Sequence, residues 1–112
     1  MTDLYVGVDV SKEYLDVATS DGTSLRVSND EAGQQQLVAR FSAIPPALVL
    51  MEATGGLERA IAAQLSAAGI ALRIINARQV RHFAKATGLL AKTDRLDAEA
   101  LEAVAAALRV QR

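Results

Sequence analysis

Four carboxylates stand where their surroundings give them something to explain. Asp9 lies inside the apolar run Val6-Gly7-Val8-Asp9-Val10, and Glu52 closes the apolar run Ala47 to Met51. Asp94 and Asp97 are three residues apart in Lys92-Thr93-Asp94-Arg95-Leu96-Asp97. Asp is a poor strand former, and a carboxylate buried there is costly unless something compensates its charge. A divalent cation would do so directly. Hard oxygen donors suit Mg2+, with Mn2+ an acceptable substitute, rather than zinc. Chemistry at phosphodiesters needs such a cluster, because negative charge builds on the attacking and leaving oxygens, and two ions ~3.5–4 Å apart can stabilise both.

Each acid also has an ordinary explanation. Asp9 could end its strand on the backbone amides of Val10 to Lys12, and Glu52 could emerge into water where its strand stops. Thr93 is a good N-cap, and acids in the first turn complement a helix dipole, so Asp94 and Asp97 could serve the helix alone. The joint placement is what favours a site. Two acids end apolar strands, where ligand crevices open in sheets of this kind, and two share a face of one helix at i, i+3 spacing. His82, alone in a basic segment, is read as a surface or phosphate-contacting residue and stays outside the set.

The elements that must position these groups follow from hydrophobic period and turn chemistry. Leu4 to Val10 alternates as a strand with Leu4, Val6, Val8 and Val10 on one face and Tyr5, Gly7 and Asp9 on the other. Glu13 to Ser20 and Thr23 to Ser28 read as two further strands joined through Asp21-Gly22, a two-residue hairpin signal. Asn29 or Asp30 caps a helix carrying Leu37, Val38 and Phe41 that ends before Pro45-Pro46. Ala47 to Met51 is wholly apolar, the mark of a strand covered on both faces, with Glu52 its last residue.

Thr54-Gly55-Gly56 then turns into a helix built on Leu57, Ile61 and Leu65, with Gly69 at its αL end. Ile70 to Ile75 is a second buried strand. A short basic helix from about Arg78 to Lys85 follows, and a final helix runs from near Thr93 towards Val110 on Leu96, Ala100, Leu101, Val104 and Leu108. Three meandering strands followed by alternating helices and strands predict an α/β domain, a mixed sheet of about five strands flanked by helices. That order matches the ribonuclease-H-like fold.

The bulk numbers fit one domain over residues 1–112, with 51% hydrophobic residues and enough aliphatic material for a core. There are no cysteines, which excludes disulfides and thiolate metal sites. No segment approaches the ~18 apolar residues of a membrane span, and Met1-Thr2-Asp3 does not open a signal peptide. A bacterial or archaeal cytoplasm is expected. Net charge is −1, yet its distribution is uneven. Between residues 73 and 95 stand Arg73, Arg78, Arg81, Lys85, Lys92 and Arg95 against Asp94 alone. Positive charge thus leads into the last carboxylate pair, where it could draw an anionic partner or simply meet solvent.

The segments Val6-Gly7-Val8-Asp9-Val10-Ser11-Lys12, Met51-Glu52-Ala53-Thr54-Gly55 and Lys92-Thr93-Asp94-Arg95-Leu96-Asp97-Ala98 resemble the N-terminal domain of the DEDD-type insertion-sequence transposases. That family includes the Piv-type DNA invertases, and its N-terminal domain is similar to RuvC Holliday-junction resolvases. The resemblance implies that Asp9, Glu52, Asp94 and Asp97 coordinate Mg2+ and support strand cleavage and exchange on DNA. It also implies a C-terminal domain with a nucleophilic serine, in many members an element-encoded guide RNA, and a homo-oligomer. Residues 1–112 would then be an N-terminal RuvC-like fragment that does not complete recombination alone. Lys12, Arg78, Arg81, Lys85, Lys92 and Arg95 are the expected nucleic-acid contacts. Ser11 is not that nucleophile by position; with Lys12 it shapes the turn after the first strand or touches phosphate.

Three other readings compete. A stand-alone resolvase or ribonuclease-H-like nuclease would use the same carboxylates. A sugar-kinase or actin-like nucleotide-binding half also opens with a Gly-Xaa-Asp strand, although Val10-Ser11-Lys12-Glu13 is less permissive than the small-residue phosphate loop expected there. A non-catalytic nucleic-acid-binding module would use Arg73, Arg78, Arg81 and Lys85.

Overall fold

In a computed structural model, which describes residues 3–88 and 97–110, five strands and four helices follow one another along the chain. They are β1 (Tyr5–Val10), β2 (Tyr14–Thr19), β3 (Ser24–Ser28), α1 (Glu31–Ala43), β4 (Leu48–Glu52), α2 (Arg59–Ala67), β5 (Leu72–Ile75), α3 (Ala77–Thr87) and α4 (Ala98–Val110). The strands form one sheet in the order β3-β2-β1-β4-β5. β2 pairs antiparallel with both β1 and β3, whereas β4 pairs parallel with both β1 and β5. This is the α/β, ribonuclease-H-like arrangement expected from the order of elements.

Strand alternation sends side chains to two different helical layers. Val6, Val8 and Val10 of β1 join Val17, Met51, Leu37, Phe41, Ile61 and Leu65 in the core under α1 and α2. Tyr5 of β1 and Leu48 and Leu50 of β4 instead meet Leu101, Val104 and Ala105 of α4. Gly7 is what lets α4 lie so close: a Cβ there would come within 2.1 Å of the Ala98 carbonyl oxygen and 2.4 Å of the Glu102 nitrogen. Of the alanines on the last helix, Ala98 and Ala105 are buried within the domain and Ala106 is half-buried.

Several boundaries differ from expectation for identifiable reasons. The β2–β3 hairpin is not a two-residue turn. Gly22 N–H donates to the Thr19 carbonyl and Thr19 N–H to the Thr23 carbonyl, so Ser20 and Asp21 are the central residues and Gly22 takes the left-handed position at φ 91°. That is a three-residue loop closed by a glycine bulge. Asp21 still organises it, accepting from the Thr19 hydroxyl and the Thr23 amide.

Leu57 does not share the buried face of α2; it is exposed, and the helix starts at Arg59 while Ile61 and Leu65 are buried. The turn is held by Glu58, described below. β5 is an edge strand of four half-buried or exposed residues rather than a covered one, with Ile70 buried just ahead of it. Gly69 does take the left-handed conformation after α2, at φ 78°. Asp30 is the cap of α1, its side chain accepting from the Gly33 amide at 2.9 Å.

Candidate functional site

Asp9 is the fifth residue of β1 and faces α4 with Tyr5 and Gly7. Across the antiparallel pair it lies directly opposite Asp16, and Asp16 in turn lies opposite Arg26 of β3. On the other side, the parallel register couples Val8 with Met51 and Glu52 with Ile75, which sets Glu52 level with Asp9. One rung of the sheet therefore reads Arg26, Asp16, Asp9, Glu52, Ile75, all on the α4 face. Neighbouring strands are ~4.8 Å apart, so three carboxylates follow one another across β2, β1 and β4 at roughly that interval.

Like charges opposite one another are destabilising in a sheet, and the chain answers this in two ways. Arg26 donates to Asp16 through Nε at 2.7 Å and Nη2 at 3.1 Å, a bidentate pair. The Glu52 carboxyl carries its strain as a pKa pushed above the usual carboxylate range. Burial is the main cause, the Arg81 guanidinium pulls it back, and Asp9 pushes it further up.

Asp97 reaches the same end of the sheet from α4. It stands outside the helix, whose first residue is Ala98, and caps it by accepting from the Ala100 amide at 2.9 Å. This corrects the expectation that the helix starts near Thr93 and that Asp97 lies within it. Thr93 and Asp94, with Lys92 and Arg95, lie outside the described residues. Asp97 borders a crevice of about 440 Å3 together with Asp9, Asp16 and Glu99. One turn on, Glu102 has its carboxyl pushed up by burial and then by Glu99. Among the described residues no three acids or histidines are gathered closely enough to form a ready ligand set. The geometry sets Asp9 and Glu52 level on adjacent strands and brings Asp97 to the crevice that Asp9 lines.

The loops that carry these groups are tied together. Ser11 shapes the turn after β1: its hydroxyl donates to the Tyr14 carbonyl at 3.0 Å and accepts from the Tyr14 amide at 3.2 Å. Asn29 donates through Nδ2 to the Ser11 carbonyl at 2.9 Å and to the Leu57 carbonyl at 3.5 Å, and its Oδ1 accepts from Gln34. It thereby links the turn after Asp9 to the turn after Glu52. Glu58 fixes the latter turn, with Oε1 accepting from the Thr54 amide, the Thr54 hydroxyl and the Gly56 amide at 2.9–3.1 Å. Those bonds hold its pKa down to about 2, the Thr54 amide contributing most.

The expected basic contacts divide. Arg78, Arg81 and Lys85 are exposed on α3 at i, i+3, i+7 spacing, one face of the helix, and Arg81 approaches Glu52 closely enough to act on its charge. His82 is exposed on the same helix. Lys12 is exposed in the turn beyond Asp9. Sequence reasoning missed Asp16, Arg26, Tyr14, Asn29 and Glu58. The Asp16–Arg26 pairing had a signal in the sequence, since opposite charges fall at matched positions on either side of the hairpin. It becomes visible only once the loop length fixes the register. Arg26 also lies over the Tyr14 ring, 4.4 Å from its centroid.

No helix among the described residues is long and apolar enough to cross a membrane. No curated protein matches the chain at a significant level. A family model for transposases, that of the IS110-type DEDD group, matches residues 6–112.

Proposed function

Because the chain belongs to the IS110-type DEDD transposases, we propose that it is their metal-dependent catalytic domain, acting on DNA phosphodiesters during transposition. The observation that carries this reading is the juxtaposition of Asp9 and Glu52 on one rung, with Asp97 beside Asp9 in the crevice that both line. Like charges on neighbouring strands disfavour such a row, and Asp9 adds to the upward push that burial already gives the Glu52 carboxyl. Its donors are all hard oxygens, the type that Mg2+ takes. Asp9, Glu52 and Asp97, with Asp94, would hold the ion, which when bound offsets charge on the attacking and leaving oxygens of the phosphodiester.

This chain's own groups do the rest. The α4 cap fixes Asp97 while Gly7 lets the helix N-terminus descend onto the rung. Glu58 and Asn29 hold the turns that follow Glu52 and Asp9. Arg78, Arg81 and Lys85 present one cationic face that positions a phosphate backbone, contributing affinity rather than sequence selection. The same reading extends to a serine-bearing second domain, an element-encoded guide RNA and a homo-oligomeric assembly. These supply what carboxylates alone do not, namely a nucleophile, an address and a second active centre.

The test is Asp9→Asn in the full-length transposase. Losing an outer partner of a metal ligand typically costs 10–100-fold, so losing the ligand itself is expected to lower strand exchange by more than about 100-fold. Thermal unfolding of the variant should be unchanged or shifted upwards, because a like-charge neighbour of Asp16 and Glu52 has gone. Wild-type recombination by this variant would sink the assignment. A non-catalytic binding module is the second reading, favoured by the basic face of α3, and it predicts that function tracks Arg78, Arg81 and Lys85 and ignores Asp9.

A further inference from the structure

On the α4 side of the sheet the helix covers β1, β4 and the adjoining part of β2. The described crevice opens beside it over β2 and β3, from Asp9 and Asp97 to Ser24 and Leu25. Cross-strand register puts Tyr14, Asp16 and Ala18 of β2 on that face, opposite Ser28, Arg26 and Ser24 of β3. Tyr14 is 41% exposed, a large aromatic left in solvent on the same strand face as Asp16, which lines the crevice. Arg26 lies on its ring and is 59% exposed itself.

The guanidinium is oriented rather than merely paired. Its Nε and Nη2 are engaged by Asp16, and its plane is backed by the Tyr14 ring. That leaves Nη1 outside the Asp16 pair, on a group whose planar fork matches phosphate oxygens. A surface ion pair of this exposure adds little to stability, and seating Asp16 directly opposite Asp9 works against it. Besides relieving the charge of Asp16, the pair holds a cation in one orientation beside the carboxylates.

We propose that Arg26, seated on Tyr14 and aligned by Asp16, binds the backbone phosphate of the DNA strand entering the carboxylate crevice, on the side away from the phosphodiester that reacts. The proposal rests on the reading of Asp9 and Glu52 as the reaction centre. Arg26 stands two strands from Asp9, about 10 Å. That corresponds to roughly three nucleotides at the ~3.4 Å rise of a duplex strand. It is the cation of the rung on the β3 side, while Arg81 and the α3 face lie on the β4 side. A strand lying along the rung would meet positive charge at both ends and carboxylates between them.

The experiment uses the full-length transposase and a fluorescein-labelled 20-nucleotide oligodeoxynucleotide. Binding is measured by anisotropy against salt concentration in calcium, a hard cation that fills oxygen sites without requiring turnover. Arg26→Ala should weaken binding about tenfold, as expected for one charge-assisted contact. It should also lower the slope of log K against log salt by about 0.7, one single-strand phosphate. Arg26→Lys should recover the slope but not all of the affinity.

An unchanged slope and affinity in Arg26→Ala, with Asp9→Asn still abolishing strand exchange, overturns the proposal and leaves the reaction-centre reading standing. If Asp9→Asn exchanges strands normally, that reading fails, and the Arg26 slope must then be judged as a plain surface contact, which also overturns the proposal. A slope change seen on an oligoribonucleotide of the same sequence but not on DNA overturns it in favour of an RNA contact. Equal thermal unfolding of Arg26→Ala and Arg26→Lys separates these outcomes from loss of fold.

Discussion

The two faces of the sheet receive side chains from the same strands and use them differently. Under α1 and α2, Val6, Val8, Val10, Val17, Val49 and Met51 make an unbroken apolar layer against Leu37, Phe41, Ile61 and Leu65. On the α4 face the apolar contact of Tyr5, Leu48 and Leu50 gives way on the next rung to Arg26, Asp16, Asp9 and Glu52, with only Ile75 at its β5 end apolar. A residue shifted by one along β1 moves from the first environment to the second. The first face stores stability in packing, and the second gives up stability to place charge. A fold this size can carry such a rung because the opposite face and the rest of α4 hold the sheet.

Four perturbations would break or sharpen that contrast. The largest effect is expected from Gly7→Val, which drives side-chain atoms into the Ala98 carbonyl and the Glu102 amide. Overpacking of a rigid contact costs 1–3 kcal/mol or more, and α4 must move away, so urea unfolding should show a loss of about 3 kcal/mol together with loss of strand exchange. Leu37→Ala, on the other face, should cost a similar ~2–5 kcal/mol. The folded fraction of that variant should nevertheless recombine at the wild-type rate per molecule. Equal damage to activity by Leu37→Ala would erase the distinction between the faces.

Asp97 allows its two duties to be separated. Asn is as good an N-cap as Asp, whereas Ala loses about 1 kcal/mol. Asp97→Asn should therefore unfold like the wild type, and Asp97→Ala about 1 kcal/mol earlier, while both lose metal-dependent strand exchange. Retained exchange in Asp97→Asn would reduce this residue to a helix cap. The smallest effect concerns Glu58. Its folded-state pKa is depressed to about 2 from the ordinary 4.5 of a glutamate, so its contribution is fully present above pH ~4.5 and is lost as pH falls towards ~2. Glu58→Gln should flatten the acid limb of the stability curve over that window, read by thermal unfolding at stepped pH.

Much of this fold was legible from the chain, because its strands alternate cleanly and its helices are bracketed by Asp30, the Pro45-Pro46 pair and Gly69. The positions of Asp9 and Glu52 were legible for the same reason: Glu52 ends its apolar strand and Asp9 stands one residue before the end of its own. What escaped depended on facts that no local pattern contains. Whether Asp21-Gly22 made a two- or three-residue loop decided which residue faced Asp16, and so hid the pairing with Arg26. Leu57 fits the apolar spacing of α2, yet the turn bonds to Glu58 delay the helix until Arg59. Asp97 and Thr93 are both plausible caps by composition, and only the Ala100 amide shows that Asp97 takes that role. β5 reads as buried from its apolar run because a sequence cannot reveal that, among the described residues, it is an edge strand of the sheet.

Asn29 has a consequence for motion. Its carboxamide joins the turn after β1, the turn after β4 and Gln34 of α1, and its own amide donates to the Glu13 carbonyl at 2.8 Å. Opening either turn must break bonds at this one side chain, so the two turns should fluctuate as a single cooperative unit. In a hydrogen-exchange experiment the amides of Ser11, Tyr14, Asn29 and Thr54 should then share one opening free energy. Carboxylates delivered by separate strands would be kept in step by a residue that bears no charge.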